Sequence, residues 1–312
     1  QSEGAFDVTL LPVLEAWGFR HGTAARPAHE ASPAPAPAEL EAARDRMGMQ
    51  HLRVQPGQLC KDAPIRVEFN SIAAGYAVDR VASYFAQQGV GSYLVEITGE
   101  MKAVGLKPDG APWRIAIEAP LEGERQAQRI VQLNGLALST SGDYRNWHEV
   151  DGQRQSHIMD PRTLAPVRHR LAAVTVAAPS ALEADGLSTL FMALGPQQGF
   201  DYAQARGIAA LFVSRRENGA GFATRATAAF DAAFGASPQG KTMIWLIAFI
   251  VMLLVVAGMA IGVMAGRKPI GGSCGGLANA VGIDHACTCG KAPGSCGGGA
   301  APSEQRSEAP PA

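Results

Sequence analysis

Two short stretches carry the residue types from which a reactive site can be built. Ser156-His157-Ile158-Met159-Asp160-Pro161 sets a histidine three positions before a carboxylate and ends on a proline, and Ala184-Asp185-Gly186-Leu187-Ser188-Thr189 sets a carboxylate four positions before a hydroxyl. Histidine titrates near neutral pH, so His157 suits proton transfer, with Asp160 as a nearby carboxylate. Ahead of a proline turn it reads equally as a satisfied surface histidine. Side chains at i and i+4 share a helix face, so Asp185 and Thr189 offer two hard oxygens to one cation of the Mg²⁺ or Ca²⁺ kind. The same spacing also describes an acid in a helix's first turn and a threonine bonded back to the preceding turn.

Two further stretches add to these. Ser139-Thr140-Ser141-Gly142-Asp143-Tyr144 is a run of hydroxyls and a glycine after a strand, fit to bond a phosphate or simply to turn the chain. Ala73-Ala74-Gly75-Tyr76 opens a helix, where backbone amides favour anions. Tyr76 offers an aromatic face to a planar ligand.

The elements that must position these groups follow from periodicity and breakers. Helical spacing runs over residues 5–18 through Leu10, Leu11, Val13, Leu14 and Trp17. A proline-rich loop with Pro27, Pro33, Pro35 and Pro37 then precedes a short charged helix at Ala38–Met47. Residues 71–88 predict a helix ending at Gly89, and Glu183–Leu194 another, closing on Gly195-Pro196. Strands are predicted at 51–54, 65–69, 93–97 running into Thr98-Gly99-Glu100, 113–118 after the turn Pro108-Asp109-Gly110, 130–133, 137–140, 148–150, 172–177 and 209–213. Strands and helices mixed without strict alternation predict an α+β domain. A net charge of −1 gives no electrostatic reason to expect a nucleic-acid partner.

The second half of the chain differs in kind. Thr242 to Gly266 are 25 residues without a charge, long enough at ~1.5 Å per residue for a single transmembrane helix, with a buried core helix as the alternative. Arg267 and Lys268 follow the span and one lysine precedes it, which predicts a cytoplasmic C-terminus and a large domain outside. Gly258, Gly262 and Gly266 share a face on which another helix can approach, unless the pattern is chance. Of the five cysteines, Cys60 stands alone, while Cys274, Cys287, Cys289 and Cys296 crowd a glycine-rich tail at spacings that fit neither a zinc ribbon nor a ferredoxin run. Four thiols so close favour iron, another metal or an iron–sulfur cluster over disulfides in a reducing compartment. The chain opens at Gln1 without an initiator Met or an apolar leader, as the middle of a longer reading frame does.

Gly4-Ala5-Phe6-Asp7-Val8-Thr9, Ala73-Ala74-Gly75-Tyr76-Ala77-Val78-Asp79, Thr140-Ser141-Gly142-Asp143-Tyr144, the His157 stretch and Asp185 with Thr189 stand in the order of motifs in the ApbE family, the FAD:protein FMN transferases, which residues 1–216 resemble. Residues 267–297, after the span 242–266, resemble NqrM, a maturation factor of the Na⁺-translocating NADH:quinone reductase. A linker at 217–241 and a disordered tail at 298–312 complete the map. The resemblance implies an ApbE-like, T-fold-like α+β domain and a Mg²⁺-dependent transfer of FMN from FAD to a Thr or Ser hydroxyl of Na⁺-NQR-type flavoprotein subunits, releasing AMP. It implies His157 as base, Asp185, Thr189 and the carbonyl of Ala73 around the metal, and Tyr76, Glu100, Thr140, Ser141 and Asp160 in the FAD site. It further implies an inner-membrane protein whose large domain is periplasmic and whose tail is cytoplasmic. The chain departs from the family pattern at Ala74, where many members carry lysine, and the family's early segment is not present before Gln1. The alternatives are an FAD pyrophosphatase and a non-catalytic assembly or metal-delivery factor.

Overall fold

The computed structural model describes residues 2–19, 33–235 and 249–257. The chain divides into two units, Gln1–Ser237 and Pro238–Ala312. In the second, residues 249–257 are helical and Phe249 to Val256 are exposed. Among the described residues no helix is long and apolar enough to cross a membrane. Most of the expected span (242–248 and 258–266) and all four tail cysteines lie outside the described residues.

In the first unit, short helices α1 (Leu11–Ala16) and α2 (Pro37–Arg44) precede the hairpin β1 (Leu52–Gln55) and β2 (Gln58–Lys61). Helix α3 (Ala73–Gln87) then leads into strands β3 (Tyr93–Ile97), β4 (Glu100–Val104), β5 (Trp113–Glu118), β6 (Ala127–Leu133) and β7 (Leu136–Gly142). Short pairs follow, β8 (Trp147–Val150) with β9 (Gln153–Ser156) and β10 (Met159–Asp160) with β11 (Ala165–Pro166). The unit ends with β12 (Leu171–Ala178), α4 (Ala181–Ala205), β13 (Ala209–Arg215), β14 (Phe222–Ala226) and α5 (Ala228–Phe234).

Six strands form one sheet in the order β14-β13-β12-β7-β4-β3, every neighbouring pair antiparallel. Its centre is β12, whose residues are all buried, as a continuous apolar run in a doubly covered strand requires. Val174 and Val176 pack with Phe191 and Met192 of α4, while Ala173 and Ala177 join Val131 and Leu133 of β6 in the core on the other side. The α+β expectation therefore holds, as two cores divided by one sheet.

Several elements differ from their sequence-based expectation. Residues 65–69 form no strand: Ile65 is buried, but the Glu68 amide bonds the Val8 carbonyl instead of a ladder. The helix expected over 5–18 contracts to α1. Gly4 and Gly18 adopt positive φ, and Asp7 turns the chain by accepting hydrogen bonds from the amide and hydroxyl of Thr9. The stretch expected as a linker contains β14 and α5, where Thr227 caps the helix and Phe230 fills the core. Helix α4 breaks where expected, at Gly195 with φ 82°, but resumes through Pro196 to Ala205.

Helix α4 is anchored at its start. Ser180 is its N-cap, accepting from the Glu183 amide. Asp79 of α3 accepts hydrogen bonds from the Ser180 hydroxyl and from the amides of Ala181 and Leu182, and Lys102 of β4 stands 3.6 Å away. Burial raises the Asp79 carboxyl, but the two amides, the hydroxyl and the lysine outweigh it and hold the group below its ordinary value of 3.8. A carboxyl depressed by folding adds stability that is present above its unfolded pKa and lost as pH falls through the folded one. Asp79→Asn is expected to cost roughly 1–3 kcal/mol at neutral pH. In urea titrations across pH, the gap to wild type should stay constant at neutrality and close below 3.8.

Candidate functional site

A cleft of about 1050 Å³ is lined by the tip joining β3 to β4, by β5, β7 and the chain after β7, by His157, and by Asp185 and Thr189 of α4. The tip, Thr98-Gly99, has positive φ at both residues and turns the hairpin in two residues, which sets Glu96 and Glu100 at the cleft.

Asp185 is 5 % exposed. Its Oδ2 accepts the Gly75 amide at 3.0 Å, a bond possible because α3 crosses α4 there without a side chain. A Cβ on Gly75 would stand 2.3 Å from the Ala181 carbonyl oxygen. Among the described residues no hydrogen bond reaches Asp185 Oδ1. Burial raises the Asp185 carboxyl to about 6, with the Gly75 amide opposing and Glu100 adding to the rise. Burial likewise raises Glu100, against hydrogen bonds from Thr98, its own amide and Ser139, with Glu96 adding to the rise. Two carboxylates are thus pressed upward in one cleft, and the guanidiniums that share its lining, Arg125 and Arg145, stand against a third, Glu118.

The hydroxyls beside them are linked. Ser141 Oγ lies 2.7 Å from Ser188 Oγ and 3.2 Å from Thr189 Oγ1. Ser188 Oγ donates to the Asp185 carbonyl at 2.9 Å. Ser139 Oγ is 3.3 Å from Ser188 Oγ and donates to Glu100 at 3.4 Å. On the other face of β7, Thr140 Oγ1 meets Thr175 Oγ1 at 2.8 Å. The partner the structure gives Thr189 is thus Ser141 rather than the carbonyl one turn back.

The donors present fit a hard divalent cation: an open carboxylate oxygen and a hydroxyl one helical turn apart. Among the described residues no three His, Cys, Asp or Glu side chains gather as a metal site. A cation here would complete its shell with neutral oxygens and substrate phosphate, as Mg²⁺ commonly does.

His157 is half-buried between β9 and β10, with its ring 6.5 Å from that of Phe19. Its Nδ1 and its backbone amide both bond the Asn146 carbonyl, at 3.0 and 3.2 Å. A carbonyl only accepts, so the ring proton sits on Nδ1 and Nε2 is the basic nitrogen.

Of the expected site residues, Glu100, Thr140, Ser141, His157, Asp185 and Thr189 line the cleft, whereas Ala73, Tyr76 and Asp160 are not among its lining residues. Tyr76 is 55 % exposed on α3. Asp160 does not pair with His157: it is gripped by Arg162 through Nε at 2.9 Å, Nη2 at 2.8 Å and the backbone amide at 2.9 Å. Burial raises the Asp160 carboxyl, but those bonds hold it below its usual range. Sequence reasoning gave Ser188 no role, and reached Ser139 and Gly75 only as members of the hydroxyl run and of the start of α3. Alternation along β7, which puts Ser139 and Ser141 on one face, was the available signal.

The six-stranded antiparallel sheet thus gathers a buried carboxylate, linked hydroxyls and a histidine around one cleft. Residues 1–212 match the ApbE family, and residues 263–293 match the (Na+)-NQR maturation NqrM family. The FAD:protein FMN transferase of Vibrio cholerae is 43% identical over 219 residues, covering 70% of this chain and 64% of that protein. The one from Salmonella typhimurium is 40% identical over 249 residues, covering 78% and 66%. The apo crystal structure of Pseudomonas stutzeri flavinyl transferase ApbE is 53% identical, with a TM-score of 0.66 over 76% of this chain and 71% of that one. The chain belongs to the ApbE family. It spans just under two thirds of the length of these curated relatives, 66% and 64%.

Gly75→Ala should destabilise the domain by about 1–3 kcal/mol through overpacking, although alanine is favoured over glycine in a helix by ~1 kcal/mol. Chemical denaturation checks the sign, which helix propensity alone would reverse.

Proposed function

We propose that this chain transfers FMN from FAD to a threonine or serine hydroxyl of a target protein and releases AMP. The observation that carries the reading is the open Asp185 carboxylate sharing one cleft with His157 and the Ser141–Thr189 hydroxyls. Relatives named FAD:protein FMN transferase support it. Asp185, Thr189 and the Ala73 carbonyl would hold Mg²⁺. When bound, that ion neutralises charge on the pyrophosphate oxygens. His157 Nε2 takes the proton of the acceptor hydroxyl, whose oxygen bonds the phosphorus of the FMN half while the anhydride bond to AMP breaks. Thr140, Ser141 and Glu100, on the cleft wall, would position FAD. Tyr76 and Asp160 would act from outside that wall, Tyr76 through its exposed ring and Asp160 through Arg162.

The NqrM match, the uncharged stretch Thr242 to Gly266 and the tail cysteines support a wider reading. In it, residues 1–237 are a periplasmic transferase domain, 238–241 connect it to an inner-membrane helix at 242–266, and 267–297 form a cytoplasmic segment. Cys274, Cys287, Cys289 and Cys296 would take iron or an iron–sulfur cluster there, ahead of a tail at 298–312. Subunits of a Na⁺-NQR-type complex are the targets in this reading.

The test uses the full chain with FAD, Mg²⁺ and a target flavin-binding domain, read by in-gel flavin fluorescence and AMP release. Fluorescent target that requires Mg²⁺ and falls by about 10²–10⁴ in His157→Ala is expected. AMP without labelled target would replace the transferase with an FAD pyrophosphatase, and neither product would leave a non-catalytic assembly factor.

A further inference from the structure

The contacts around Ser188 fix which way the protons of Ser188, Ser141 and Thr189 point. Ser188 Oγ lies 2.9 Å from the Asp185 carbonyl oxygen, which accepts only, so the single Ser188 proton is given to it. The 2.7 Å contact between Ser188 and Ser141 then requires Ser141 to donate, and the 3.2 Å contact between Ser141 and Thr189 requires Thr189 to donate. The chain runs one way, from Thr189 to Ser141 to Ser188 to a helix carbonyl. At its head Thr189 Oγ1 has its proton turned toward β7.

We propose that Ser188, with Ser141, is a positioning residue that holds Thr189 Oγ1 with its proton turned away from the cleft and its lone pairs presented as a cation ligand beside Asp185. A threonine left to itself in a helix donates to the carbonyl one turn back and rotates among rotamers. Here Ser188 occupies that carbonyl from its own position, buried with 0 % exposure, and ends the chain on a group fixed by the helix. Neutral oxygen ligands bind a cation through lone pairs, so a hydroxyl already committed as donor elsewhere loses no orientational freedom when the cation arrives. This assignment rests on the reading of Asp185 and Thr189 as cation ligands. It reassigns Ser141, expected in the FAD site, to the support of that centre.

The test is Mn²⁺ binding to the full chain without FAD, followed by the loss of the free-ion electron paramagnetic resonance signal, with folding checked by thermal melts in chelator. Ser188→Ala should weaken Mn²⁺ about tenfold, the scale on which partners of metal ligands act. Ser188→Thr, which keeps the hydroxyl, should restore it. Ser141→Ala, which removes the acceptor from Thr189 directly, should give the same loss and decides the matter if Ser188→Ala does not fold. Folded variants that bind Mn²⁺ within twofold of wild type overturn the positioning role while leaving the cation site standing. A wild-type chain that binds no Mn²⁺ overturns the cation reading and the positioning role with it.

Discussion

At the crossing of α3 and α4 the Gly75 amide meets Asp185 Oδ2 at 3.0 Å, and this contact sets the distance between the two helices. A buried carboxylate needs compensation, and here it comes from a backbone donor that no side chain could approach closely enough to supply. The same crossing brings Asp79 of α3 to the first amides of α4. Two carboxylates thus tie the helices together, one of them keeping a second oxygen open to the cleft. Register follows from this: with α4 fixed at Ser180 and Asp185, Ser188 and Thr189 fall opposite Ser139 and Ser141 of β7.

The electrostatics of the cleft follow from what surrounds it. Glu100 and Asp185 are both raised by burial, and Glu100 adds to the rise at Asp185. Arg162, beside the expected site residue Asp160, is spent on that carboxylate. The cleft also holds Arg125 and Arg145, both set against Glu118, and a histidine whose accepting nitrogen is defined by a carbonyl.

Much of this was legible in the sequence wherever periodicity was strong. The run Ala172–Ala177 has no polar position but Thr175 and reads as a buried strand, which it is. The i, i+4 spacing of Asp185 and Thr189 put both on one helix face, and both line the cleft. Elements built from weaker patterns escaped: β4 opens on Glu100 and contains Lys102, β14 carries Thr224 and Arg225, and α5 is mostly alanine. Ile65 to Phe69 has the composition of a strand but forms no ladder among the described residues, its Glu68 amide bonding the Val8 carbonyl. Asp160 shows why motif proximity can mislead. Three residues from His157 along the chain, it is captured by Arg162 two residues further on, a local pairing that the spacing to His157 did not reveal.

The interruption of α4 at Gly195 divides one helix by duty. The bonds to α3 and β7 precede it, whereas Phe200 and Ala203 beyond it join the core with β12 and β13, and Phe200 also carries the Arg225 guanidinium on its ring. Asp185 and Thr189, before the break, face the cleft, and Phe200 and Ala203, after it, back the sheet. The half after Pro196 therefore serves as a brace: Gln197 and Gln204 bond Arg225 and the Ala228 amide, which fastens the last strand and helix of the domain to its centre.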